Sequence, residues 1–279
     1  MNLRPMAAQD VPAAMHLCRA AGWNQLEDDW RVFFDSPGSG GFLIEKDSSV
    51  VGTVAFIRYD ALAWIAMMLV DPQQRRAGIG ARLMEEALSA LSSAPCVGLD
   101  ATPMGQPLYR RFGFVQEYAM VRTKATIDAA RFGQPTGRAR PMRLEDLSAV
   151  LPRDREVFGA DRSQLLAGLF SRSPECAWIV KDPEVRGYCF GRPGRLYRHL
   201  GPVVAGSHDT ARELLAHCFS QLDGHLFAID APMLDSEWIA WLESVGFAPE
   251  RPFARMFRSP DKHPGTPARQ YAITGPEFA

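Results

Sequence analysis

The chain lacks most of the features that would direct a protein to a membrane, a nucleic acid or a metal. No apolar run approaches the ~20 residues that a spanning helix needs. Its 31 Lys and Arg are met by 32 Asp and Glu, a net charge of −1, so no overall field draws it to nucleic acid or anionic lipid. The opening Met1-Asn2-Leu3-Arg4-Pro5 has no long apolar stretch of the secretory kind. Only five cysteines occur, Cys18, Cys96, Cys176, Cys189 and Cys218, scattered and without paired metal spacing. They predict reduced thiols in a cytoplasmic protein. No two histidines have the i, i+4 spacing of a helical zinc pair, so no metal is expected. A third glycine after Gly78 and Gly80 is also missing: position 83 is Leu83, which excludes the Gly-x-Gly-x-x-Gly dinucleotide turn. Gly80 is followed by Ala81-Arg82 rather than Lys-Ser/Thr, which excludes a Walker P-loop.

The most informative segment present is Asp71-Pro72-Gln73-Gln74-Arg75-Arg76-Ala77-Gly78-Ile79-Gly80. It follows an apolar run, Trp64–Val70, and leads into a helical pattern over Ala81–Leu91. A strand therefore enters a basic, glycine-bearing turn that becomes a helix N-terminus. The free N–H groups of a first helical turn and the positive end of the macrodipole suit a phosphate. Arg75 and Arg76 add whole charges, and the glycines allow close backbone approach.

At 279 residues, 47% hydrophobic and 23% charged, the chain has core enough for two domains. It also repeats itself. Arg4-Pro5-Met6 and Asp10 return as Arg140-Pro141-Met142 and Asp146; Gly41–Ile44 returns as Ala177–Val180, and Gly52 as Gly187. Leu99-Asp100-Ala101 returns as Ile229-Asp230-Ala231, and Phe112-Gly113-Phe114 as Val245-Gly246-Phe247. The offsets run only from 130 to 136 residues, in one order, which predicts a tandem duplication. The Gly, Pro, Thr and Arg stretch over Gly133–Arg140 serves as linker, giving domains over 1–135 and 136–279. The tail from Ser259, with prolines 260, 264, 267 and 276, is expected to be irregular, with room for a short edge strand over Gln270–Thr274.

Within the first unit, Asp10 caps a helix to about Ala21 and a second short helix covers Leu26–Phe34. A hairpin follows over Gly41–Ile44 and Val50–Tyr59. Trp64–Val70, Cys96–Asp100 and Tyr118–Thr126 read as strands, and Gln106–Arg111 as a short helix. Such mixed order implies an α/β fold with a partly antiparallel sheet.

Arg75-x-x-Gly78-x-Gly80 between strand and helix, then Val97–Ala101, Leu108-Tyr109 and Gly113-Phe114, resembles the motifs of the GNAT superfamily of acyl-CoA-dependent N-acetyltransferases. The resemblance covers residues 1–125. It implies two tandem domains, each with a mixed, mostly antiparallel central sheet flanked by helices. It also implies acetyl-CoA as co-substrate and a primary amine of a small molecule or peptide as acceptor. The second unit departs from the pattern. Gly201–Arg212 has no Arg-x-x-Gly-x-Gly, and Leu242 stands four residues before Gly246 where Tyr109 stands before Gly113. Cofactor binding is therefore expected in the first unit alone, with the second shaping the substrate side in place of a partner subunit. A monomer or a homodimer is expected.

By the same resemblance, Met68, Leu69 and Val70 take the pantetheine arm, and Arg75, Arg76, Ala77, Gly78, Ile79, Gly80 and Ala81, with Thr102, hold the rest of the cofactor. A backbone N–H near Met68 polarises the acetyl carbonyl, and Tyr109 protonates the departing thiolate. A lysine-like amine has a pKa of about 10.4 and is mostly protonated near neutrality, so a proton acceptor is required. Glu27 and Asp100 are the candidates, with the neighbouring Asp28 and Asp29. Trp23, Asp29, Trp30 and Asp230 are the candidate acceptor contacts. A different class of function, a non-catalytic acyl-CoA or ligand sensor, is compatible with a fold that has already lost one of its two sites.

Overall fold

A computed structural model describes residues 1–259 and 265–279. Pro260 and Pro264, named above, lie outside the described residues. The first half supplies β1 (Asn2–Pro5), α1 (Val11–Ala20), α2 (Glu27–Asp35), β2 (Gly40–Lys46), β3 (Ser49–Arg58), β4 (Ala63–Val70), α3 (Ile79–Ala90), β5 (Val97–Ala101), α4 (Gln106–Arg111) and β6 (Val115–Thr126). The second half runs β7 (Ala139–Pro141), α5 (Leu147–Phe158), α6 (Ser163–Arg172), β8 (Trp178–Lys181), β9 (Val185–Arg192), β10 (Arg198–Ala205), α7 (His208–Ser220), β11 (Leu226–Pro232), α8 (Ser236–Ser244) and β12 (Ala248–Arg258). It then adds β13 (Gln270–Ala272). Strand β1 escapes the sequence reading, because four residues ending in proline are too few to display alternation.

All the strands join one mixed, mostly antiparallel sheet, in the order β1-β2-β3-β4-β5-β12-β6-β11-β10-β9-β8-β7, with β13 against β10. Read outward from its centre, that order is the same for both halves. The halves meet by exchange: β12 of the second half lies between β5 and β6, and β6 of the first half lies between β12 and β11. Only β4–β5 and β10–β11 pair in parallel among the described residues.

The duplicated sequence marks correspond to duplicated devices. Arg4 holds Asp10 through two hydrogen bonds of 2.8 Å, and Arg140 holds Asp146 through two of 2.7 Å. Asp10 accepts the Ala7 N–H and Asp146 the Arg143 N–H, each at 2.8 Å, so each carboxylate closes the turn that leads into α1 or α5. The repeated Leu-Asp-Ala and Ile-Asp-Ala segments tie the halves together. Asp100 on β5 takes two bonds from Arg255 on β12, at 2.9 and 2.8 Å, and Asp230 on β11 takes two from Arg122 on β6, at 2.7 and 2.6 Å. Both pairs thus cross from one half to the other, in opposite directions.

Alternation along the strands builds separate cores on the two faces. On one face α1, α2, α5 and α6 share a single core that includes Trp30, Phe33, Trp64, Leu166, Phe190 and Phe278. On the other, α3 and α4 cover the first half over Ile79, Leu83, Tyr109 and Phe114, and α7 and α8 cover the second over Leu214, Phe219 and Trp238. All five cysteines are buried and unpaired. No helix of the described residues is long and apolar enough to cross a membrane.

Candidate active site

Strands β4 and β5 pair only at Ala63–Val97 and Trp64–Gly98, then separate. Gly98 permits the close start of that fork, since a Cβ there would lie 2.3 Å from the Trp64 ring and 2.6 Å from that of Phe257. Beyond it β4 bulges. Thr53 of β3 faces Leu69 and Ala55 faces Ala66, so Met67 and Met68 together oppose Val54. Met67 has φ 51°, unusual for a long side chain, and its carbonyl accepts from the Thr53 hydroxyl at 3.0 Å. Met67 and Met68, at the bulge, line the fork.

At the far end of β4 the chain enters the basic turn. Asp71 caps its own short turn by accepting the Gln73 N–H at 2.8 Å. Arg76 and Gly78 then adopt left-handed φ values of 67° and 78°, and α3 begins at Ile79 with no side-chain cap on Gly78. The first N–H groups of α3 are therefore free for an anion. Arg75, Arg76, Ala77 and Gly78 are exposed, and no hydrogen bond or ion pair ties the side chains of Arg75, Arg76 or Arg82 among the described residues.

The second half has closed the same place. Eight residues, Asp71 to Gly78, join β4 to α3, but only Gly206 and Ser207 join β10 to α7. Ser207 caps α7 with its own hydroxyl, which accepts from the Thr210 N–H at 3.3 Å. Asp209 lies in the first turn of α7, and Asp235 and Glu237 flank His208, so this terminus is acidic where that of α3 is basic. The fork between β10 and β11 is filled by the chain itself. Strand β13 pairs Ala272 with Val203 and Gln270 with Val204, and the Ile273 N–H donates to the Asp230 carbonyl at 2.9 Å. The expected edge strand is thus an internal one. It satisfies ladder groups that diverging strands would otherwise bury unpaired. Trp238 holds it in place by donating Nε1–H to the Tyr271 carbonyl at 2.9 Å.

The tail then crosses to the first half. The Trp64 Nε1–H and the Tyr59 hydroxyl donate to the carbonyls of Pro276 and Phe278, both at 2.9 Å, and Phe278 stacks on Phe33 with centroids 5.8 Å apart. Glu277 pairs with Arg192, which also binds Asp29 at 2.8 Å.

The fork opens into a cleft. Its walls are Trp23, Asn24 and Gln25 before α2; Ile65 to Met68 of β4; Leu99, Asp100 and Thr102; Tyr109 of α4; Arg122 of β6; Arg251 and Phe253 of β12; and Pro276 and Glu277 of the tail. The Asn24 side chain fastens its loop to the second half. It donates to the Tyr197 carbonyl at 2.9 Å and accepts the Leu196 and Tyr197 N–H groups at 2.7 and 3.1 Å.

Of the residues read from the sequence, Trp23, Met68, Asp100, Thr102 and Tyr109 line this cleft. Leu69 and Val70 continue β4 toward the turn. Several others lie elsewhere. Glu27 is exposed at the start of α2, outside the cleft walls. Asp28 is exposed and pairs with Arg31 at 3.4 Å. Trp30 is 0% exposed in the shared core. Asp29 is buried between Arg172 and Arg192, and its carboxylate accepts the Leu26 N–H at 2.9 Å, so it caps α2 rather than facing an acceptor. Asp230 sits one layer behind the cleft, under Arg122.

Asp100 faces the cleft, yet its side chain is 0% exposed and clamped by Arg255. Burial pushes its carboxyl above the usual range, with Arg255 pulling the other way. Asp230, in the matching pair, is likewise pushed up by burial. There Arg122, together with the His199 Nε2–H at 2.9 Å, outweighs burial and holds the carboxyl below the usual range. Both aspartates are ion-pair partners that lock the sheet, which removes Asp100 from the role of a free base.

Burial alone pushes the Tyr109 phenol up to about 12, so it stays protonated. Its ring lies edge-on to Phe114 at 6.3 Å and over Gly105, where a Cβ would fall 2.8 Å from it. Gly105→Ala is therefore expected to displace the phenol and lower turnover by about tenfold with acetyl-CoA affinity kept. Steady-state kinetics beside a binding titration checks this, and unchanged turnover would show that the ring position does not matter.

Gln25, Arg122, Arg251, Phe253 and Glu277 were not singled out from the sequence. They come from loops, from exchanged strands and from a tail that carries no motif.

Family models described as acetyltransferase (GNAT) domains match twice, over residues 37–116 and 150–272. The chain is 24% identical over 241 residues to the uncharacterized N-acetyltransferase YitH of Bacillus subtilis (strain 168), covering 86% of this chain and 85% of the relative. It is 27% identical over 258 residues to the holothin acyltransferase of Pseudoalteromonas sp. (strain SANK 73390), covering 91% and 87%. A crystal structure of a provisionally assigned acetyltransferase from Pyrococcus horikoshii shares the fold over 100% of this chain and 95% of its own, with a TM-score of 0.84 at 21% identity.

Proposed function

We propose, for a chain that belongs to the GNAT acetyltransferase superfamily as two domains in tandem, that its first half transfers the acetyl group of acetyl-CoA to a primary amine by direct attack. The observation that carries this reading is the contrast between the two forks. That of β4 and β5 is open from the arginine turn to Tyr109, whereas that of β10 and β11 is filled by β13 and ends on an acidic helix.

In this reading the N–H groups of Ile79, Gly80 and Ala81 and the side chains of Arg75 and Arg76 hold the pyrophosphate. The backbone from Met68 to Val70 takes the pantetheine arm, and Thr102 flanks it just past the end of β5. The N–H at the Met67–Met68 bulge stabilises charge on the carbonyl oxygen. The amine nitrogen bonds to the acetyl carbon and the C–S bond breaks. Tyr109 gives its proton to the leaving sulfur and regains one from the nitrogen. A phenol as weak as Tyr109 serves well only as such a relay, because the acylated nitrogen returns what the sulfur takes.

The test is thiol release from acetyl-CoA by the intact chain against a panel of amines. Turnover with at least one primary amine supports the reading. Tight acetyl-CoA binding with no turnover across the panel would instead identify a sensor.

A further inference from the structure

Two buried acceptor atoms in the cleft wall have nothing to accept from. Gln25 is 6% exposed and Glu277 is 2% exposed, and neither Gln25 Oε1 nor Glu277 Oε2 has a hydrogen-bond partner among the described residues. A buried oxygen without a donor is costly, so such a pair in an open cleft marks where a ligand's donors belong. We infer that this pair is the acceptor-nitrogen subsite and that it takes a neutral, weakly basic primary amine on an aromatic or similarly flat apolar body. The inference rests on the acetyltransferase reading and deepens it.

The donor count fits. A neutral primary amine has two N–H groups, one for each oxygen, which leaves its lone pair as the only unoccupied direction. A secondary amine would leave one oxygen unmet.

The charge balance excludes an ammonium. Glu277 is neutralised by Arg192, Asp100 by Arg255 and Asp230 by Arg122. The remaining charged wall residue, Arg251, pairs with no carboxylate among the described residues and is itself positive. An alkylammonium entering here would find no surplus negative charge to replace its hydration. An amine that is already unprotonated near neutrality would lose little. The walls suit a flat body: Trp23 and Phe253 face the cleft with Met67 and Met68.

The test uses the intact chain with p-toluidine and benzylamine, of similar shape but opposite protonation at pH 7. With acetyl-CoA, kcat/KM for p-toluidine is expected to exceed that for benzylamine by at least about tenfold at pH 7. The benzylamine value should climb about tenfold per pH unit toward its own pKa, while that of p-toluidine stays flat. Gln25→Met is expected to raise KM for p-toluidine by about tenfold, with kcat and acetyl-CoA affinity little changed. Benzylamine preferred at pH 7, or an unmoved KM in Gln25→Met, would overturn the subsite. If neither amine releases thiol, the transfer reading is what has failed for these acceptors. The subsite is then decided by titrating p-toluidine into the CoA-loaded chain. Saturable binding weakened about tenfold by Gln25→Met supports it, and no binding or equal binding overturns it.

Discussion

Tyr109→Phe is expected to lower kcat by about 10²–10⁴-fold while leaving acetyl-CoA affinity within about twofold. The phenol is buried and pushed up to about 12 by burial alone, and its hydroxyl makes no ionic pair among the described residues that the fold would need. The ring remains in phenylalanine, and its contact with Phe114 should persist. Only the proton passed between nitrogen and sulfur is lost. Steady-state thiol release beside isothermal titration separates the two quantities. A variant that turns over at the wild-type rate would remove Tyr109 from the proton path, and one that loses acetyl-CoA binding would make it a structural residue.

The largest stability loss is expected from Arg255→Met, of about 3–5 kcal/mol. The Asp100 side chain is 0% exposed and would keep a buried charge without its arginine. The Tyr118 hydroxyl, which now contacts Arg255 Nη1 at 3.1 Å, would remain beside it. The pH dependence has a definite sign. Without Arg255 the folded-state pKa of Asp100 rises further above its unfolded value of about 3.9. Stability linked to the protonated carboxyl is then full below that value and is lost as pH rises through the folded pKa. Urea unfolding of the variant between acid and neutral pH should show this fall, and the Asp100→Asn/Arg255→Met double variant should recover part of the loss. A loss within about 0.5 kcal/mol would mean that the exchanged pair is not a lock. The same exchange predicts that residues 1–135 alone do not form a stable monomer, since β5 and β6 both lose β12.

Local signals made the candidate site of the first half legible. The strand, basic turn and uncapped helix lie within one stretch of chain, and Tyr109 precedes a turn glycine by a fixed step. The duplication was legible because each half repeats the same short devices, Arg4 with Asp10 and Arg140 with Asp146. Strand exchange was not, because β6 and β12 look the same from within whichever half receives them. That exchange is also why Asp100 and Asp230 were read as site residues. An aspartate at the end of a strand that points to the cleft carries no local mark of an arginine more than a hundred residues away. The role of the tail was hidden for a related reason. Three residues of β13 suit an edge as well as a fork, and Glu277 gains its place only once Arg192, Trp64 and Tyr59 are folded around the tail.

The most direct test of the account is the stoichiometry of acetyl-CoA binding to the intact chain by isothermal titration, with Gly80→Trp as control. A Cβ at Gly80 would lie 3.4 Å from the Leu108 side chain and 3.8 Å from that of Val70, so a tryptophan there would cover the turn. One acetyl-CoA per chain, lost in a Gly80→Trp variant that unfolds at the wild-type temperature, is the predicted result. Two per chain, or one that survives Gly80→Trp unchanged, would contradict the assignment of the open first fork as the site and the filled second fork as its closed copy.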